Sequence, residues 1–66
     1  MGIKIKEYLA TNGIKQAFLV ERTGLSADKI SGICSGKRGI DCMEYYKICR
    51  ALNLELDYFF KDMEEE

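Results

Sequence analysis

Apolar residues recur along this chain every three or four positions rather than in alternation, which is the pattern of helices that each bury one face. Ile5, Tyr8 and Leu9 form the first stripe. Asn12-Gly13 then reads as a helix stop, because both residue types tolerate the positive φ that ends a helix. A second segment begins near Lys15, carries Leu19 and Val20 as its apolar positions and ends at Thr23-Gly24. Ser26 is placed to cap a third, since its hydroxyl can accept an orphan backbone N–H of the first turn. Ile30, Ile33 and Cys34 form that helix's inward stripe, and Ser35-Gly36 close it. Asp41 with Glu44 makes a D-x-x-E start, close to a capping box. The fourth helix it opens has Tyr45, Ile48, Cys49 and Leu52 on one face and Asn53 as its stop. A short last turn is expected around Leu56 to Phe60, followed by an acidic, flexible tail over residues 62–66. The prediction is an all-α fold, a compact five-helix domain over residues 1–61, with connections of about 2–6 residues.

Composition narrows what such a domain can do. At 66 residues the chain makes one small domain, which buries only about 60% of the surface its unfolded form exposes. Apolar residues at 47% and charged residues at 32% give the balance of a folded chain rather than a disordered one. Proline is absent, so nothing interrupts the helices. Histidine is absent too, which removes the commonest general base and the commonest metal ligand. No nucleophile–base pair or phosphate loop is readable, so neither an enzyme nor a cofactor is expected. The longest apolar run, Ala17 to Val20, falls far short of the roughly 20 residues of a membrane span. The N-terminal Ile3-Lys4-Ile5-Lys6 has no signal-peptide core, and the Met1-Gly2 start lacks the Ser or Thr that myristoylation wants where Lys6 stands. A cytoplasmic protein with no membrane partner is the expectation. Cys34, Cys42 and Cys49 are odd in number and have no C-x-x-C spacing. They read as small buried apolar residues in a reducing compartment, with no metal site.

Charge is distributed unevenly. Residues 1–40 carry seven bases against three acids, whereas residues 41–66 carry three bases against eight acids, so a basic half is joined to an acidic one. Such asymmetry points mildly to a polyanionic partner for the basic half.

The most informative stretch is Gln16 to Gly36. A helix of about two turns ends at Gly24, the turn Gly24-Leu25-Ser26 follows, and a second helix opens at once. Glycine supplies the positive φ that so sharp a bend needs. Leu19 and Val20 can pack against Ile30 and Ile33 across the bend, with Leu25 plugging the corner. This is the sequence form of a helix-turn-helix, whose second helix can enter a DNA major groove.

These residues resemble the lambda-repressor/Cro type of helix-turn-helix domain, also called the xenobiotic-response-element family, over nearly the whole chain to Phe60. The marks are Gln16 opening helix two, Gly24-Leu25-Ser26 at the turn, Ile30 and Ile33 inside helix three, and Ser35-Gly36-Lys37-Arg38 after it. Ile48, Ala51-Leu52 and Leu54-x-Leu56 fall where that family places its core. The resemblance implies five helices and a transcriptional repressor or activator, commonly dimeric, that binds double-stranded DNA. It implies that Gln16 contacts a phosphate or base, that Ala27, Asp28, Lys29, Ser31, Gly32 and Ser35 occupy the groove-facing helix, and that Lys37 and Arg38 grip the DNA backbone. Periodicity agrees, since positions 27, 28, 31 and 35 lie opposite Ile30 and Ile33. No acid other than Asp41 stands near Lys37 and Arg38 in the sequence.

Some residues depart from the family pattern. Val20 stands where the family has a small alanine, and Phe18 where it has a polar residue. Ala27 and Gly32 offer no hydrogen bonds to base edges, and Asp28 is acidic where phosphates approach, so direct readout is sparse. The leading expectation is a DNA-binding transcriptional regulator, repressor-like, in a phage or mobile-element setting. The alternative is a protein-interaction module, an antirepressor or antitoxin reusing the fold. Leu56, Tyr58, Phe59 and Phe60 crowd the C-terminal end and cannot all point inward, so at least one should remain exposed and could form a homodimer interface.

Overall fold

The computed structural model describes residues 1–63. It contains α1 (Gly2–Thr11), α2 (Gln16–Thr23), α3 (Ala27–Ser35), α4 (Cys42–Leu52) and a final 3-10 segment, Tyr58–Met63. There is no strand among the described residues, and no helix there is long and apolar enough to cross a membrane.

Each helix ends where local chemistry stops it. After α1 the Asn12 Nδ2 donates to the Tyr8 carbonyl at 2.8 Å, and Gly13 takes φ +67°. Gly24 (φ +79°) ends α2 and Gly36 (φ +81°) ends α3. Asn53 closes α4 with φ +60°, a left-handed conformation that asparagine adopts more readily than most residues. Between α2 and α3 the Thr23 hydroxyl donates to the Leu19 carbonyl at 2.6 Å and accepts the Leu25 N–H at 3.1 Å. Leu25 is thereby held in the corner, 9% exposed. The Lys29 N–H donates to Ser26 Oγ at 3.1 Å, the cap expected at the start of α3. At α4 the capping box is complete: the Glu44 N–H donates to Asp41 Oδ1 at 2.8 Å, and the Asp41 N–H donates to Glu44 Oε1 at 3.2 Å.

The core is drawn from the stripes of all four helices: Ile5 and Leu9, Leu19, Ile30 with Ile33 and Cys34, and Ile48 with Cys49. Leu25 and Phe59 complete it. α3 packs on α1 and α2, and α2 also packs on α4. The approach of α1 to α3 is close enough that a Cβ on Gly2 would lie 1.8 Å from the Ile33 carbonyl oxygen. Ile14, Ile40 and Leu54, from the connections, pack against this core although no helical stripe marks them.

Four expectations need correction. The fifth helix is a 3-10 segment that starts at Tyr58, preceded by a tight turn in which the Tyr58 N–H donates to Glu55 and the Phe60 N–H to Asp57, both at 3.0 Å. Tyr58, Phe59 and Phe60 are consecutive, and no helix can turn three adjacent side chains to one side. Only Phe59 enters the core, leaving Leu56 (49%), Tyr58 (41%) and Phe60 (39%) exposed. Leu56 is therefore not the core residue that the resemblance implied. Cys34 and Cys49 are buried, but Cys42 is exposed, because it sits in the first turn of α4 beyond the core layer. The 3-10 segment runs through Met63, so residues 62 and 63 of the expected tail belong to it, while residues 64–66 lie outside the described residues.

The C-terminal segment is tied down by rings. Phe59 meets Tyr8 edge-on at 5.9 Å between centroids and Tyr45 at 6.4 Å. Tyr58 also stands edge-on to Tyr8, at 5.4 Å. The Tyr45 hydroxyl donates to the Leu56 carbonyl.

Candidate nucleic-acid interface

The helix-turn-helix places one face of α3 in solvent. Ile30, Ile33 and Cys34 are buried, and Ala27, Asp28, Ser31 and Ser35 are exposed on the other side. These four expected residues therefore share one accessible helix face, while Lys29, also exposed, projects from the flank next to Ile33. α3 has nine residues, and a helix with its side chains is about 10–12 Å across, which a major groove roughly 12 Å wide admits. Small side chains dominate, so the α3 backbone can come close to whatever it meets. Gln16, the first residue of α2, is half-buried.

Gly32 differs from its neighbours. Its carbonyl accepts the Lys37 N–H at 3.0 Å, the Arg38 N–H at 3.2 Å and the Ser35 hydroxyl at 3.2 Å. A Cβ on Gly32 would stand 3.2 Å from both Cγ and Cδ of Arg38. Gly32 thus serves as the anchor on which the loop after α3 folds back.

In that loop Lys37 and Arg38 are both exposed, the Arg38 side chain by 40%, but Arg38 is engaged in an ion pair. The Arg38 guanidinium donates to both oxygens of Glu44, at 3.1 and 3.3 Å. The carboxylate so bound is buried, with Glu44 only 6% exposed. The two Arg38 hydrogen bonds, then the Asp41 N–H, hold the Glu44 carboxyl below the ordinary glutamate range. Asp41 is thus not the acid that Arg38 meets. Glu44 was legible only as the third residue of a capping box, and its second partner lies across a turn whose course the sequence does not give.

Phe18 is half-buried, with the Arg22 guanidinium 4.8 Å over its ring. A cation–π contact of that kind covers an aromatic edge on α2. Val20 is half-buried and packs against the core.

One other part of the surface is largely apolar, with Asp41 and Asp57 beside it. Ile40, Cys42, Tyr45, Tyr46, Leu56 and Phe60 line an open groove between the start of α4 and the C-terminal segment.

The family model of the Cro/C1-type HTH DNA-binding domain matches residues 4–63 of this chain. No curated protein matches it.

Proposed function

Because the chain belongs to the Cro/C1-type helix-turn-helix DNA-binding family, we propose that it is a repressor-like transcription regulator that seats α3 in the major groove of double-stranded DNA. The observation that carries this reading is the exposed face of α3, with Ala27, Asp28, Ser31 and Ser35 together on one side of a helix whose other side is locked into the core, and Lys29 exposed at its flank. In this reading Ser31 and Ser35 meet base edges, Lys29 and Lys37 meet phosphates, and Gln16, at the start of α2, contacts a phosphate or base. Ala27 brings the helix start close to the groove. Asp28 either accepts from a cytosine amino group or supports only the helix dipole. Phosphate contacts then supply most of the affinity, and base readout is thin. The apolar C-terminal surface supports a homodimer on a two-fold operator. A cytoplasmic setting in phage or mobile-element control fits a small regulator of this kind.

A gel shift on random-sequence DNA at two salt concentrations tests the reading. Binding should weaken steeply as salt rises, because each phosphate contact releases a counterion. Absent or salt-independent binding would count against it. A protein-interaction module, antirepressor or antitoxin, is the second reading, favoured by the apolar groove that Tyr46, Leu56 and Phe60 leave open.

A further inference from the structure

We propose that Arg38 is a positioning residue rather than a phosphate ligand: clamped to Glu44 and lying over Gly32, it fixes the loop after α3 so that Lys37 is the cation of that loop that meets DNA. This rests on the DNA-binding reading and refines how its site is built.

Two independent observations converge on Arg38. At its tip, both Glu44 oxygens are taken by the guanidinium, at 3.1 and 3.3 Å. Glu44 Oε1 also receives the Asp41 N–H at 3.2 Å, so one buried carboxylate gathers the guanidinium and the start of α4. Along its stem, the Arg38 methylenes close over Gly32, where a Cβ would be 3.2 Å away. The Arg38 N–H, meanwhile, binds the Gly32 carbonyl at 3.2 Å. Tip, stem and backbone therefore hold one residue against two helices.

Moving this guanidinium to a phosphate would exchange one anion for another. It would also strand the buried Glu44 charge without its guanidinium partner, which is strongly unfavourable. The stranded carboxylate would then repel the phosphate that drew the arginine away. Among the described residues Lys37 has no such commitment: it is exposed and adjacent, and its backbone is pinned to Gly32 at 3.0 Å. The sequence pair Lys37-Arg38 looks like two equivalent backbone contacts, but the fold separates them into one contact and one brace.

The test is the slope of log binding constant against log salt on random duplex DNA, for the wild type and three variants. Lys37→Ala should reduce the slope by about 0.9, the loss of one phosphate contact. Arg38→Met removes the charge but keeps the stem over Gly32 and the Lys37 N–H bond to the Gly32 carbonyl, which hold Lys37 in place without the guanidinium; its slope should equal the wild type's, while its melting temperature falls. Glu44→Gln keeps an acceptor for the Asp41 N–H and frees the guanidinium, so it should steepen the slope by about 0.9. A slope reduced by about 0.9 in Arg38→Met would overturn the proposal. Should that variant fail to fold, Glu44→Gln decides alone: a steeper slope supports the brace and an unchanged slope overturns it. Wild-type binding that is absent or indifferent to salt would sink the DNA reading and this proposal with it. That failure is distinct from the first, in which binding persists.

Discussion

Glu44 sits where an acid is normally costly, below the surface at the head of α4, and stays charged because Arg38 and the Asp41 N–H both favour its ionised form. Its carboxyl is held lower in the folded chain than in the unfolded one, which fixes the sign of the pH dependence. The stabilisation is fully present above the unfolded value of about 4.3 and is lost as pH falls through the lower folded value. Thermal melts through the acid range should therefore show a decline that Glu44→Gln flattens, and equal acid sensitivity of the two proteins would contradict this role. The cysteines differ by position in the same way. Burial pushes the Cys34 and Cys49 thiols up, and both are covered, whereas Cys42 is open to solvent. A disulfide reagent should modify Cys42 at once in the native protein and the other two only as the chain unfolds. Three equal rates would contradict this burial pattern.

The helices were largely legible because their signals are local. Ile30, Ile33 and Cys34 declare a face by spacing alone, and Ser26, Gly24, Gly36 and the Asp41–Glu44 pair mark the ends by chemistry confined to a few residues. The exposed side of α3 followed from the same periodicity. What depends on the path between helices was not legible. Ile14 and Ile40 pack from connections with no period to reveal them, whereas Leu54 was marked only by the family resemblance, and the Arg38–Glu44 pair forms only once the loop after α3 has folded back. The contact of α1 with α3 is another such feature, since nothing near Gly2 in sequence announces Ile33. Gly2→Ala should force the two helices apart, because the new methyl meets a backbone carbonyl that cannot rotate away. The expected loss is about 1–3 kcal/mol by urea denaturation; a variant as stable as the wild type would show that α1 does not press on α3 there.

Across the whole molecule the two ends of the charge pattern go with different surfaces. The basic first half contributes the exposed face of α3 and Lys37, and the acidic second half contributes most of the apolar groove bordered by α4 and the C-terminal segment, with Met1 and Ile40 from the first half completing it. A two-fold contact through Tyr46, Leu56 and Phe60 would cover side chains that a lone domain leaves in water. Sedimentation should then show the average mass rising with concentration, and Leu56→Asp should abolish that rise while leaving the helix content unchanged; a wild type monomeric at every concentration, with and without DNA, would end the dimer idea. The bond from the Tyr45 hydroxyl to the Leu56 carbonyl gives this molecule an optical reporter as well as a latch. The chain has no tryptophan, so its near-ultraviolet signal belongs to tyrosine. Tyr45, kept neutral chiefly by burial, holds its proton until about pH 12. Its contribution to stability is complete below the unfolded value of about 10 and disappears as pH rises through the folded one. An absorbance titration should thus show the Tyr45 phenolate appearing late. Any substitution that unfastens the C-terminal segment should bring that phenolate back toward the ordinary tyrosine value, so the colour change reads out whether the segment is closed.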